Sequence, residues 1–127
     1  MMHAESPRFS KLTFDPQRLR FALGFAIDGH FCMVAEHEGQ IIGGLAATIT
    51  PHWFSPDLTA CDMALFIAPE YRGGAAVVRL LNAYRAWAKE KGSKMTLLGI
   101  MTGVDVEKTA HICERLGWQR AGIVMEG

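Results

Sequence analysis

The chain has 127 residues, half of them apolar and 20% charged, and its 13 basic side chains balance its 13 acidic ones. That length has room for one domain over 1–127 and buries roughly two-thirds of its unfolded surface, so disorder is excluded and no disulfide or metal is needed for folding. Zero net charge argues against a protein that coats nucleic acid or anionic membrane.

Asp15-Pro16 is a helix start, a capping acid followed by proline at the first helical position. Leu19, Leu23, Ala26 and Ile27 then follow at helical spacing, which predicts a helix over 16–27, ended by Asp28-Gly29. Phe31 to Glu36 and Gln40 to Thr50 are strand-like, and His37-Glu38-Gly39 between them marks a hairpin. Pro51 to Asp57 is bounded by prolines and reads as a loop carrying Trp53 and Phe54. Leu58 to Ala68 is a strand, almost continuously apolar from Met63, as suits a strand covered on both faces.

After Tyr71-Arg72-Gly73-Gly74 the period changes. Val77, Leu80, Leu81, Tyr84, Trp87 and Ala88 share one helical face, which predicts a helix over 75–91. Lys94 to Thr102 reads as a strand, Asp105 as a cap for a helix over 106–116 closed by Gly117, and Trp118 to Met125 as a last strand. The order predicts an α/β domain with an antiparallel start and a crossover-connected second half.

Charge is uneven along this order. Residues 1–64 carry four bases against seven acids, and residues 65–127 nine against six. A phosphate-binding segment would fall in the second half. Cys32, Cys61 and Cys113 are odd in number and widely spaced, without a C-x-x-C pair or companion histidines, so the expectation is reduced thiols in a cytoplasm and no metal. No apolar run approaches the ~18 residues of a membrane span, and residues 1–15 lack the apolar core of an export signal.

The segment that carries chemistry is Leu65 to Ala76, a buried strand passing through a glycine turn into a helix. Glycines let main chain approach a ligand, and the first unpaired N–H groups of the helix make an anion site with the helix dipole behind them. An ordinary strain-relieving turn has the same composition. The Walker pattern and the dinucleotide G-x-G-x-x-G pattern are both absent, which removes support for nucleotide hydrolysis and hydride transfer.

The strand ending in Pro69-Glu70-Tyr71-Arg72-Gly73, with the amphipathic helix after it, resembles motif A of the GNAT N-acetyltransferases. Ile112-Cys113-Glu114-Arg115-Leu116-Gly117-Trp118 resembles that family's motif B. The similarity runs from Phe31 to Trp118 and is strongest from Leu58; the Phe54-Ser55 loop before an acid-bearing strand is similar to short GNAT proteins of phages and prophages. The resemblance implies a GNAT-like mixed central sheet with helices on both faces, shortened at both termini. It also implies a function: acetyl-CoA-dependent transfer to a primary amine of a small molecule or protein. Pantetheine would pair with the backbone of Phe66 and Ile67, opposite a splayed neighbour at Met95 to Met101, and Arg72, Gly73, Gly74, Ala75 and Ala76 would hold the pyrophosphate. Two departures stand out. With Arg72 as first residue of the loop, Ala75 falls where the inner glycine belongs, and Cys113 stands where the family usually has a tyrosine acid. A degenerate GNAT fold kept as a CoA-binding or interaction module is the alternative these departures raise.

For catalysis, Asp62 at the start of the central strand is the candidate base, with Glu36 second. Cys113 is the candidate acid for the leaving thiolate, against the simpler reading of a small core residue. His111 is two residues from Cys113 on a helix and does not face it. Trp53 and Phe54 either line the acceptor site or anchor the loop onto the helix of 16–27, and anchoring is the expectation. The resemblance also implies that the family's N-terminal strand is reduced to Phe9 to Phe14 at most and that its last hairpin is shortened or completed by a second subunit, so a homodimer is expected.

Overall fold

The computed structural model describes residues 2–127. Four helices, α1 (Met2–Glu5), α2 (Pro16–Gly29), α3 (Ala75–Glu90) and α4 (Val106–Arg115), surround a four-stranded mixed sheet of β1 (Phe31–His37), β2 (Gln40–Pro51), β3 (Leu58–Ile67) and β4 (Met95–Leu97). The strands lie in sequence order, the first three antiparallel and β4 parallel to β3.

Local chemistry accounts for most of these elements. The Asp15 carboxylate accepts from the N–H groups of Gln17 (3.0 Å) and Arg18 (3.3 Å) and so caps α2, and Pro16 supplies the first helical φ. Glu38 and Gly39 both have positive φ, 50° and 80°, the two-residue geometry that matches the twist of a hairpin. α3 buries Val77, Leu80, Leu81, Tyr84 and Ala88 against Phe31, Leu45, Ala47, Ala60 and Ile67 of the sheet. This is the stripe expected of an amphipathic helix lying on a sheet. Close packing of β2 on β3 depends on Gly43, where a Cβ would come within 2.7 Å of the Phe66 carbonyl oxygen.

Several expected elements take another form. Phe9 to Phe14 is not a strand: Phe9–Lys11 is a 3-10 turn, closed by the Phe9 N–H donating to Ser6 Oγ at 3.0 Å. Of Lys94 to Thr102, only Met95–Leu97 pairs as a strand, because the chain leaves β3 after Leu97. Asp105 does not cap α4 with its side chain; it sits at φ 48°, ψ 38° and only its carbonyl bonds into the helix, to Thr109 N–H. Trp118 to Met125 forms no strand and joins no ladder. Its ends are tied elsewhere, Arg120 to Glu107 and Glu114 of α4, and Glu126 to Arg8 and Lys11. Trp53 and Phe54 do not anchor onto α2: they are 87% and 70% exposed and pack edge-to-face on each other at 4.9 Å.

Candidate active site

The site begins with an irregularity in β3. Ala46 of β2 pairs with Ala64, but its neighbour Ala47 pairs with Asp62, leaving Met63 as an extra residue. Such a bulge bends its strand, increases the local twist and re-aims neighbouring side chains. It follows directly on the last parallel pair, Cys61 with Leu97. Up to Cys61, β3 and β4 share a ladder; beyond the bulge they diverge and a cleft opens between them.

That cleft, of about 100 Å³, is walled by Leu65, Phe66 and Ile67 on one side and by Gly99 and Ile100 on the other, with Val77 of α3 and Ile112 of α4 also lining it. At its mouth stand Arg72, Gly73 and Lys108. Gly73 has φ 84°, a conformation that glycine adopts without strain. Gly74 is the residue before the first turn of α3 and makes no side-chain cap, so the helix presents its N-terminal N–H groups toward solvent and ligand. The Arg72 side chain is braced: its Nε donates to the Ile67 carbonyl at 3.0 Å and its Nη2 to the Glu5 carboxylate. That bond to Arg72 holds Glu5 below the usual carboxylate range.

The N-terminal segment reaches the same mouth. Ser6 is buried and donates from its hydroxyl to the Thr102 carbonyl, Arg8 donates to the Met101 carbonyl at 2.5 Å, and Pro7 packs where any side chain at Gly103 would lie. Thus Glu5 is held at Arg72 by the contacts of the three residues that follow it.

At the inner end, where the strands part, Asp62 is half-buried. Its Oδ1 accepts from the Gly99 N–H at 2.6 Å. Burial raises its pKa above the ordinary carboxylate value, and that Gly99 bond offsets part of the rise. Tyr84, fully buried, donates to the Leu97 carbonyl at 2.6 Å. Burial holds its phenol well above the ordinary range, with the Asp62 charge adding to it.

A family model for the acetyltransferase (GNAT) family matches residues 1–118. The chain belongs to the GNAT acetyltransferase family. No curated protein sequence matches it, but solved structures do. A transcriptional regulator from Bacillus halodurans C-125 superposes with TM-score 0.74 at 20% identity, over 99% of this chain and 89% of the other. An acetyltransferase from Trypanosoma brucei gives 0.70 at 18%, over 91% and 80%. AAC(6')-Iy in complex with the bisubstrate analog CoA-S-monomethyl-acetylneamine gives 0.71 at 17%, over 94% and 84%. At these identities the likeness is one of fold, and the fold is the GNAT fold.

Within this GNAT acetyltransferase the residues singled out from sequence separate into groups. Phe66, Ile67, Arg72 and Gly73 line the cleft together. Gly74, Ala75 and Ala76 line a second hollow beside the start of α3, with Glu36, His37 and Tyr71, and Arg72 lines both. Asp62 lies at the vertex through its bond to Gly99. Cys113 is buried in the core beside Leu81, Tyr84 and Ala88 and is absent from the cleft wall, and burial raises its thiol pKa. Trp53 and Phe54 sit before β3, whereas the glycine loop follows it. A strand of 10 residues separates the two ends by about 33 Å.

Gly99 and Ile100, within the splayed neighbour expected at Met95 to Met101, line the cleft as well, and so do Lys108, Thr109 and Ile112 of α4 and Glu5, which the sequence does not single out as cleft residues. Lys108 and Ile112 are four apart on one helix face, a spacing that could have drawn attention to the lysine. Glu5 carries no such signal, because its partner is 67 positions away.

Proposed function

We propose that this protein is an acetyl-CoA-dependent N-acetyltransferase that moves an acetyl group to a primary amine of a small molecule or protein by direct attack. The observation that carries the reading is the parting of β3 and β4 immediately after Cys61 and Leu97, which opens a cleft leading to Arg72, Gly73 and the start of α3. The residues fit an acyl-CoA. Beyond the parting point, β3 has no strand partner on the β4 side, leaving main-chain groups of Leu65 and Phe66 available to an amide-rich pantetheine arm, while the Ile67 carbonyl accepts from Arg72. Two cations and a helix N-terminus suit a diphosphate.

When bound, acetyl-CoA supplies a thioester carbon open to attack by a neutral amine. Arg72 and Lys108 neutralise the diphosphate, with the main chain of Gly73, Gly74, Ala75 and Ala76 completing the turn, while Phe66 and Ile67 align the arm. Leu65, Ile100, Val77 and Ile112 keep water from the inner cleft. Water would carry the proton from the amine, and solvent would protonate the leaving thiolate, since Cys113 lies in the core away from the cleft wall. The bisubstrate analog CoA-S-monomethyl-acetylneamine belongs to the compared AAC(6')-Iy complex; for this chain the proposal extends to the amine class.

The reading includes a homodimer in the cytoplasm. In its support, Ile123, Val124 and Met125 are exposed on a segment that joins no ladder, which a second copy could cover, and all three cysteines are free thiols.

Calorimetric titration with acetyl-CoA, wild type against Gly73→Glu, tests the cofactor assignment. Saturable heat in the wild type and none in the variant is expected; no heat in the wild type overturns it. Thiol release across a panel of primary amines then tests turnover, and acetyl-CoA binding without release for any amine favours the CoA-binding module.

A further inference from the structure

Past Leu97 the diverging strand is in an exposed energetic position. β4 is the edge of the sheet, and its ladder to β3 stops at Leu97, so the following residues have no strand neighbour to fix them. A backbone left that way is free to move, and a cleft wall made from it would have no defined spacing. Farther along, Ser6 and Arg8 bond to the Thr102 and Met101 carbonyls; over the stretch where the strands part, two other bonds from side chains replace the missing ladder. Tyr84 reaches from α3 to the Leu97 carbonyl, and Asp62 reaches from β3 to the Gly99 N–H, each at 2.6 Å.

We propose that Asp62 and Tyr84 form a two-point clamp that holds the diverging strand at Leu97 and Gly99 and thereby sets the width of the acetyl-CoA cleft. Both are positioning residues, acting through the backbone of the strand on a cofactor they need not touch. The inference rests on the acetyl-CoA reading above and deepens it by giving the site's buried carboxylate a task other than proton transfer.

Three features support this assignment. The bulge at Met63 stands next to Asp62, the kind of irregularity that re-aims a side chain out of the regular pleat. Gly99 itself lines the cleft, so a shift of its N–H shifts the wall. It is also closely surrounded: a Cβ at Gly99 would lie 3.1 Å from Met101 Cε and 3.6 Å from Asp62 Oδ1, so the strand is seated against the carboxylate itself. On the other arm, Tyr84 is wholly buried in the core cluster with Phe31 and Leu81, which gives the clamp a rigid base in α3.

The experiment compares Asp62→Asn, which keeps an oxygen acceptor but cannot serve as a base, with Asp62→Ala, which loses the acceptor. Calorimetry gives the Kd for acetyl-CoA, steady-state kinetics separates KM from kcat, and amide exchange by NMR reads the Gly99 N–H directly. Expected are a D62N protein within about threefold of wild type in every constant and a D62A protein whose Kd and KM rise about tenfold, the scale of one lost buried hydrogen bond. Gly99 exchange is slow in wild type and D62N and fast in D62A. Should D62A fail to fold, Tyr84→Phe, which removes only the hydroxyl, takes its place and raises Kd in the same direction.

Equal loss of kcat in D62N and D62A, with Kd unchanged, overturns the clamp in favour of a catalytic base. Unchanged Kd and unchanged Gly99 exchange in both D62A and Y84F also overturn it, while leaving the cofactor reading intact. Failure of the wild type to bind acetyl-CoA overturns the cofactor reading and the clamp with it.

Discussion

Asp62 shows how one side chain's surroundings decide its cost and its use. Burial raises its folded-state pKa, so the stability it contributes is present below the unfolded value of about 3.9 and is lost as pH rises through the folded value. At neutral pH the protein therefore carries the cost of a dehydrated carboxylate. Asp62→Asn removes that charge and keeps the acceptor. The melting temperature of D62N is expected to exceed that of wild type at pH 7, and the gain to shrink toward pH 4, as followed by circular dichroism. Cys113 offers the complementary case. Its thiol lies in the core and away from the cleft, so Cys113→Ala is expected to retain most turnover, whereas a drop above ~100-fold, the scale of a general acid, would assign it to the chemistry. The identity of both residues was legible in the sequence, but their directions were not, since a residue on a strand or helix gains its neighbours only from the elements packed against it.

The elements follow from local chemistry where partners are close in sequence. The cap on α2 joins residues two and three apart, and the hairpin turn is fixed by Glu38 and Gly39 alone. Asp15→Ala is expected to cost about 1 kcal/mol, read as a lower urea midpoint with unchanged slope. Gly43→Ala meets the Phe66 carbonyl and the Ile67 side chain and is expected to cost about 1–3 kcal/mol, since neither strand can move without breaking its pairing. Gly39→Ala, with no atom within 4 Å of the added carbon but φ 80°, is expected to cost less, its penalty being backbone strain alone. The apparent strand of Lys94 to Thr102 shows the opposite situation. Its apolar composition suits a strand throughout, yet only three residues pair, because pairing requires a neighbour and β3 has turned away.

Across the whole molecule, the N-terminal segment reaches both the last residues of the chain and the mouth of the cleft. Arg8 and Lys11 bind Glu126, and Glu5 holds Arg72. The Glu5 carboxylate thus stands on a cation that a diphosphate would need, and ligand binding must share or displace it. Glu5→Gln is expected to tighten acetyl-CoA binding about threefold, a modest effect because the pair is partly solvated, with calorimetry as the measurement and unchanged or weaker binding as the contrary result. The uncovered Ile123 to Met125 segment belongs to the same scale: light scattering on a size-exclusion column is expected to give a dimer mass, and Ile123→Lys with Met125→Lys to shift it toward the monomer.

The uneven charge noted at the start is resolved within this arrangement. Arg72 and Lys108 of the basic second half do face the cleft, but an acid of the first half meets one of them there. Helical stripes, the aspartate cap, the hairpin turn and the glycine turn before α3 could all be read along the chain, because each is specified by residues within a turn or two of one another. The parting of β3 from β4 could not be read that way. It depends on a bulge visible only in the register with β2, and on a carboxylate meeting an N–H 37 positions later, contacts that exist only once the sheet and α3 have packed.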